Sequence, residues 1–363
     1  MLPKFAAARL ELELEAALIC RRRRSEDTHS GVGSERRAVR LLGCSISLSW
    51  GRMAATSTKA LTVNGAKVTT VANGHDATAA APPEPTDGTA VAPGASTLSS
   101  PPHAAVYPAG QCLFGEEWTA ATLVAKERCK ETTVILTFEL PDTSKPLGLS
   151  TCACILAKFD RDGAAVVRPY TPISTNAMIG RFELLVKIYD QGAMSQHLDG
   201  LQIGDAVEFK HIPFNVKVQY PFKPKVGMLI GGTGIAPMIQ ALHAILGTAD
   251  DTTAVSMLYA SKVKEDILAE ETLEAWAANS EGRFSCKHVL SEEPDDSSWT
   301  GARGLITREL IEAHLPAPTD DVVIFVCGPP GMYESLCGPR NEPQELKGIL
   351  AEMGYTAAQV VKF

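Results

Sequence analysis

Three stretches of this 363-residue chain carry side chains suited to holding phosphates and planar rings. The first is Arg168-Pro169-Tyr170-Thr171-Pro172-Ile173-Ser174. A guanidinium offers a rigid fork of donors that matches a pyrophosphate. A tyrosine two positions on can lie against a planar ring, and a threonine hydroxyl can hydrogen-bond to ring nitrogens. Alone, an Arg and a Tyr on a strand make an ordinary surface pair. The stretch gains weight from Lys187-Ile188-Tyr189 and Gly192-Ala193-Met194-Ser195 downstream. Gly192 lets backbone approach a ligand closely. Met194 and Ser195 open a short helical run whose first amides, with the Ser195 hydroxyl, suit a phosphate. The plainer view of that run is a capped helix after a turn.

The second stretch is Gly231-Gly232-Thr233-Gly234-Ile235-Ala236-Pro237-Met238. It follows the apolar run VGMLI and precedes a helical pattern. Strand, Gly-rich turn and helix in that order expose amides to a dinucleotide pyrophosphate. The spacing is not G-x-G-x-x-G, so by itself the turn is a weak signal. Pro237 fits a first helical turn, where its missing N–H costs nothing. The third stretch, Cys327-Gly328-Pro329-Pro330-Gly331-Met332, follows VVIFV. Ligands of open parallel sheets sit outside the carboxyl ends of strands, and the second and third stretches both stand there. A cysteine among apolar residues is usually a small buried hydrophobe. One that ends a strand before a rigid Gly-Pro-Pro turn marks a functional position.

The elements that must position these residues change texture twice. From Trp118, short β-rich runs (ATLVAKERC, TVILTFEL, CACILAKF, FELLVKIY, AVEFK) alternate with turn signals such as Pro141-Asp142, Asp162-Gly163 and Gly204-Asp205. That spacing predicts an antiparallel β-barrel. After about residue 224, the apolar runs VGMLIGG, AVSMLYAS, FSCKHVLS and DVVIFVCG alternate with the helical stretches PMIQALHAILG and DILAEETLEAWAANS. Strands alternating with helices predict a parallel, doubly wound α/β sheet. Boundaries follow: 1–112 a leader and linker, 113–223 the barrel, 224–363 the α/β domain.

A hydrophobic content of 45% and a charged content of 21% allow sizeable cores. A formal net charge of −8 gives no support to nucleic-acid binding, and no run approaches the ~18 apolar residues of a membrane span. The nine cysteines are odd in number and scattered, which fits a reducing compartment better than a disulfide framework. Cys152-x-Cys154 has no second pair to complete a metal site; two side chains on one face of a strand is the plainer view.

Residues 1–52 hold ten Lys/Arg and six Asp/Glu, a local net of +4, including the run Arg21–Arg24. Residues 53–111 are rich in Ala, Thr, Pro and Gly, a composition that builds no packed core. The segment from Met53 is poor in acids and fits a transit peptide better than the extreme N-terminus, which carries Glu11, Glu13 and Glu15. A targeting leader is therefore the expectation, with plain disorder the alternative.

In this order and these contexts, the three stretches resemble the ferredoxin–NADP reductase superfamily, and within it the NADH-cytochrome b5 reductase branch, over about residues 115–363. The resemblance implies a flavoprotein oxidoreductase with an N-terminal FAD-binding barrel and a C-terminal NAD-binding domain. Arg168 would meet the FAD phosphate, Tyr170 and Thr171 the isoalloxazine, with Pro169 and Ser174 in the same motif. Lys187, Tyr189, Gly192, Met194 and Ser195 match further flavin positions. Gly232, Thr233, Gly234, Pro237 and Met238 match the nicotinamide-nucleotide turn. Cys327, Gly328, Pro329 and Met332 match the wall beside the nicotinamide, and Phe363 the aromatic that ends family members. Thr171 and Cys327 would align and tune the hydride step, in which NADH reduces the flavin.

Asp266, in Lys264-Glu265-Asp266-Ile267-Leu268, matches an acidic position near the adenine ribose. A carboxylate there accepts from a 2′-hydroxyl and repels a 2′-phosphate, which implies NADH; Ser261-Lys262 is where a phosphate could also be held. Two positions depart from the family. Ala236 replaces a threonine, removing a hydroxyl on the flavin side, and His211-Ile212-Pro213-Phe214-Asn215 replaces a Gly-Pro near the adenine end of FAD. The resemblance further implies electron transfer to cytochrome b5 or a similar small haem protein, with no nucleic acid, a monomer and peripheral membrane association. Candidate docking residues are Lys158, Lys187, Lys210, Lys217, Lys223 and Lys225. A same-fold reductase for a desaturase, oxygenase or quinone is the rival, and a non-catalytic redox-sensing module a more distant one. The ending VVKF and the insert CGPRNEPQELKGILAEMGY look most like mitochondrial members, with endoplasmic reticulum or cytosol as alternatives.

Overall fold

The computed structural model describes residues 60–63, 66–69, 97–108, 110–212 and 217–363. Met1–Ala80 and Ala81–Phe363 form separate units. In the first, β1 (Ala60–Val63) and β2 (Ala66–Thr69) pair antiparallel. The basic run Arg21–Arg24, the transit-peptide segment apart from these strands, and the loop 213–216 lie outside the described residues.

The second unit begins with an antiparallel sheet of six strands: β3 (Thr119–Lys130), β4 (Thr133–Glu139), β5 (Ile155–Arg161), β6 (Ala164–Tyr170), β7 (Arg181–Lys187) and β8 (Ala206–His211). Their order is β6-β5-β8-β3-β4-β7. Four phenylalanines, Phe114, Phe138, Phe182 and Phe209, fill its interior with ring centroids 5.1–5.6 Å apart. Burying each contributes roughly 1.5–3 kcal/mol. The expected barrel is open between β6 and β7, which do not pair. Helix α1 (Ala193–Gly200) packs against both of those edge strands.

The runs in β4 and β7 are apolar on both faces for a reason. Val134, Leu136, Phe138, Leu184 and Val186 point into the barrel core. Ile135 and Leu185 point the other way, into the core of the following α/β lobe. A strand covered on both sides loses the alternation of a half-exposed one.

The α/β lobe runs β9 (Lys225–Gly231), α2 (Ile235–Leu246), β10 (Ala254–Ser261), α3 (Glu270–Ala278), β11 (Phe284–Leu290), β12 (Ala302–Arg303), α4 (Arg308–His314), β13 (Val322–Cys327), α5 (Pro330–Leu336), α6 (Gly348–Glu352) and β14 (Val360–Lys362). All six strands are parallel, in the order β12-β11-β10-β9-β13-β14. The order reverses between β9 and β13, so the crevice of a doubly wound sheet lies at their carboxyl ends. Every residue of α2 except Leu246 is buried, because the helix lies between its own sheet and the barrel.

The linker expected over 1–112 ends earlier than its composition suggests. Residues 97–108 form a strap across both lobes. The Thr97 amide donates to Glu183 Oε2 on β7 (2.9 Å), the Thr272 hydroxyl of α3 to Leu98 O (2.8 Å) and Trp276 Nε1 to Ser100 O (3.2 Å). The His103 amide donates to His243 Nδ1 on α2 (2.9 Å), and Asn176 Nδ2, between β6 and β7, to Ala105 O (3.1 Å). Backbone groups do this work, so a segment poor in apolar side chains is still held.

Candidate functional site

A cleft of ≈ 1150 Å³ separates the open edge of the barrel from the carboxyl ends of β9, β10, β11 and β13. It exceeds the ~300–1,000 Å³ of a pocket for one small ligand, so there is room for two nucleotides. The barrel contributes Arg168, Pro169, Tyr170 and Thr171 from the end of β6, Lys187 and Tyr189 from the end of β7, and Gly192, Met194 and Ser195 at the start of α1. The α/β lobe contributes Gly232, Thr233, Gly234, Pro237 and Asp266, then Cys327, Gly328, Pro329 and Met332, and finally Phe363. Residues far apart in the chain, from Arg168 to Phe363, thus meet because the barrel opens where the parallel sheet ends.

Two expected site residues are not there. Ser174 is buried, and its hydroxyl accepts from the Glu183 amide (2.9 Å), which ties the segment after β6 to β7. Met238, on α2, is fully buried in the α/β core. Neither lines the cleft. A third expectation changes in kind: the Ser195 hydroxyl donates to Gly192 O (3.0 Å) and accepts from the Tyr189 amide (3.1 Å), so its donor is already used. A Cβ on Gly192 would collide with that hydroxyl. At α1 it is the backbone amides of the first turn that have no intrahelical acceptors.

The glycines of the α/β lobe divide by cause. Gly232 adopts φ +54° with open space beside it, so its backbone conformation favours glycine and leaves a face clear for a ligand. Gly234 has an ordinary φ of −59° but abuts the wall: a Cβ there would lie 2.6 Å from the Cys327 carbonyl carbon and 3.1 Å from its Sγ. A Cβ on Gly231 would lie 2.7 Å from Pro329 Cδ. The Gly-rich turn and the Cys-Gly-Pro-Pro wall are thus packed as one surface.

Burial pushes the Cys327 thiol up to about 11, which keeps it protonated and uncharged at neutral pH. Tyr170, likewise desolvated, rises to about 12 and stays a neutral phenol. Both present apolar, polarisable surface to the cleft. Cys152 sits in a turn at φ +64°, not on a strand as expected, and its Sγ donates to Pro237 O (3.1 Å). Phe363 packs edge-on to Phe325 (5.3 Å, 70°), and its carbonyl accepts from the Tyr333 hydroxyl (2.5 Å).

Helix α3 begins at Glu270, four residues later than the apolar pattern predicts. Asp266 lies on a 3-10 turn (Lys264–Asp266) and forms an ion pair across the cleft with Lys187. Lys130 Nζ donates to the neighbouring Ile267 O (2.5 Å), so two barrel lysines hold this turn. Glu292, just beyond β11, also lines the cleft and pairs with Lys262 (2.9 Å). Sequence reasoning passed over Glu292, though its place after a strand's carboxyl end was a usable signal. With Glu292 on it, Lys262 is less available to a 2′-phosphate.

The cleft's polar groups fit two dinucleotides. Arg168 spends one N–H on Val167 O (2.7 Å) and has no acidic partner among the described residues. The amides of α1 and of the Gly-rich turn face the same space. Two carboxylates, those of Asp266 and Glu292, line the same cleft.

Residues 120–213 match the model of the oxidoreductase FAD-binding domain, and residues 228–338 that of the oxidoreductase NAD-binding domain. The chain is 39% identical to NADH-cytochrome b5 reductase 2 of Neosartorya fischeri over 257 residues, 68% of this chain and 77% of the relative. It is 37% identical to the Arabidopsis thaliana NADH-cytochrome b5 reductase-like protein, over 69% of this chain and 78% of the relative. The structure of the cytochrome b5 reductase domain of Ulva prolifera nitrate reductase is similar with a TM-score of 0.61 at 27% identity, over 70% of this chain and 100% of that one. The human Ncb5or CS-b5R domains share the fold at a TM-score of 0.56 and 24% identity, over 68% of this chain and 69% of theirs.

Proposed function

This chain belongs to the NADH-cytochrome b5 reductase family, and we propose that it is an FAD-dependent enzyme that oxidises NADH and passes electrons singly to a small haem protein such as cytochrome b5. The observation that carries this is the single cleft joining Arg168–Thr171, the Gly-rich turn and the Cys327 wall. Bound FAD supplies the two-electron to one-electron conversion. The chain's own residues bind, orient and exclude water. Arg168 and the α1 amides hold the FAD phosphates, and Tyr170 and Thr171 border the isoalloxazine. Gly232–Gly234 hold the dinucleotide phosphates, while Cys327 and Met332 close the nicotinamide side with neutral surface. No side chain needs to take or give a proton for hydride transfer.

Asp266 and Glu292 favour NADH. Replacing Asp266 with Thr is expected to raise kcat/KM for NADPH by about tenfold or more, equivalent to ~1.4 kcal/mol. An unchanged NADPH-to-NADH ratio would remove Asp266 from the specificity argument.

For the haem partner, three of the six docking candidates are already neutralised. Lys158 pairs with Glu208 (2.6 Å), Lys187 with Asp266 and Lys225 with Asp321 (3.1 Å). Lys210, Lys217 and Lys223 remain as the positive docking face. The acid-poor segment from Met53 supports an organelle leader, and the ending VVKF with the insert CGPRNEPQELKGILAEMGY supports a mitochondrial one. Peripheral membrane association and a monomeric state complete the reading; no helix among the described residues is long and apolar enough to cross a membrane. The test is anaerobic mixing. NADH should bleach the flavin absorbance, and cytochrome b5 added next should be reduced at a rate that falls with ionic strength. Flavin that NADH leaves oxidised would end the reductase reading; reduced flavin inert toward cytochrome b5 would redirect it to another acceptor.

A further inference from the structure

We infer that Gln240 is a positioning residue that sets the flavin-binding strand against the dinucleotide-binding helix. It lies on α2, six residues beyond Gly234, and is only 7% exposed. Its Oε1 accepts from the Cys152 amide (2.6 Å). Its Nε2 donates to Pro172 O (2.6 Å) and Ser174 O (3.4 Å). One amide from the α/β lobe therefore joins two barrel segments, and Pro172 directly follows Thr171. One partner is a donor and two are acceptors, a combination that suits a carboxamide and not a carboxylate.

Each partner is itself fixed. The Ile173 amide donates to Glu183 O (2.9 Å) and the Glu183 amide to Ser174 Oγ (2.9 Å), so the segment after Thr171 is held on β7 from its other side. Cys152 Sγ donates to Pro237 O on α2 (3.1 Å), a second link to the same helix. Gln240 thus joins the two lobes, one expected to carry the flavin ring and the other the nicotinamide. A buried, fully paired amide is costly to break. Hydride transfer is steeply sensitive to the separation such a staple fixes: a misplacement of about 1 Å costs on the order of 100-fold.

The inference rests on the reductase reading, and the test separates the two. Gln240→Met keeps the volume and removes the hydrogen bonds; Gln240→Glu sets a carboxylate against two carbonyls. Both would be followed by FAD content, NADH dissociation constant, limiting rate of flavin reduction and its isotope effect with 4-deuterated NADH. We expect Gln240→Met to keep its FAD and to bind NADH within about twofold of the wild type. Its limiting rate should fall about 10- to 100-fold with an altered isotope effect. Gln240→Glu should recover as pH falls, because only the protonated acid can donate to Pro172 O, whereas Gln240→Met should show no such recovery. A Gln240→Met protein that melts earlier yet reduces its flavin at the wild-type rate and isotope effect would overturn the inference. So would loss of FAD from it, or a pH-independent Gln240→Glu. Wild-type flavin that NADH cannot reduce would instead defeat the reductase reading.

Discussion

Gly234→Ala is expected to reduce hydride transfer by about 100-fold while leaving FAD bound. The backbone at Gly234 is in the right-handed helical region, φ −59° and ψ −9°, so alanine meets no dihedral penalty. The obstacle is the Cys327 peptide, whose carbonyl carbon would lie 2.6 Å from the new methyl with the oxygen closer still. This obstacle is backbone at the end of β13, which cannot rotate away as a side chain could. Overpacking of this kind costs roughly 1–3 kcal/mol, occasionally more, and here it would separate the Gly-rich turn from the nicotinamide wall. Gly232→Ala is the instructive contrast. It has open space but φ +54°, so it should cost about 1–2 kcal/mol of conformational energy without wedging the wall. Stopped-flow flavin reduction, read beside FAD content, checks both. A Gly234→Ala enzyme reduced at the wild-type rate would mean that turn and wall move independently.

Arg168→Leu is expected to weaken FAD binding by about 100-fold, or ~3 kcal/mol, the loss of charge-assisted hydrogen bonds to a phosphate. The side chain stands on the edge strand β6, exposed and with only one N–H used by the protein. Its removal should therefore leave the sheet, whose pairing is through backbone, intact. Arg168→Lys should fall between, because an ammonium keeps the charge and loses the bidentate fork. Quenching of flavin fluorescence on titrating apoprotein with FAD gives the constants. Equal affinities for wild type and Arg168→Leu would move the phosphate contact elsewhere.

Much of this was legible in the sequence. The β-rich runs and the later β/α alternation predict the two sheets that form, and the three motifs mark the ends of β6, β9 and β13 where the cleft lies. What escaped did so for physical reasons. Ser174 belongs to a motif by spacing, yet chain direction after Pro172 turns it toward β7. Met238 follows the Gly-rich turn, but helix geometry points it into the core. The pattern DILAEETLEAWAANS is helical throughout, and it does not reveal that Ala269 takes φ +55° and delays α3 to Glu270. The 97–108 strap has few apolar side chains, and composition is blind to carbonyls and amides that find partners far along the chain. Gln240 looks like any polar residue on a helix until its three backbone partners are seen.

The two-sided burial of β4 and β7 has a thermodynamic consequence. Ile135 and Leu185 belong to the same apolar cluster as Met238, Ile239 and Leu242 of α2. A chain whose lobes share a core in this way has no inexpensive state in which one lobe is melted and the other intact, since opening either strips the other's apolar surface. The pair should unfold as one cooperative unit, even though each sheet alone has the size of a domain.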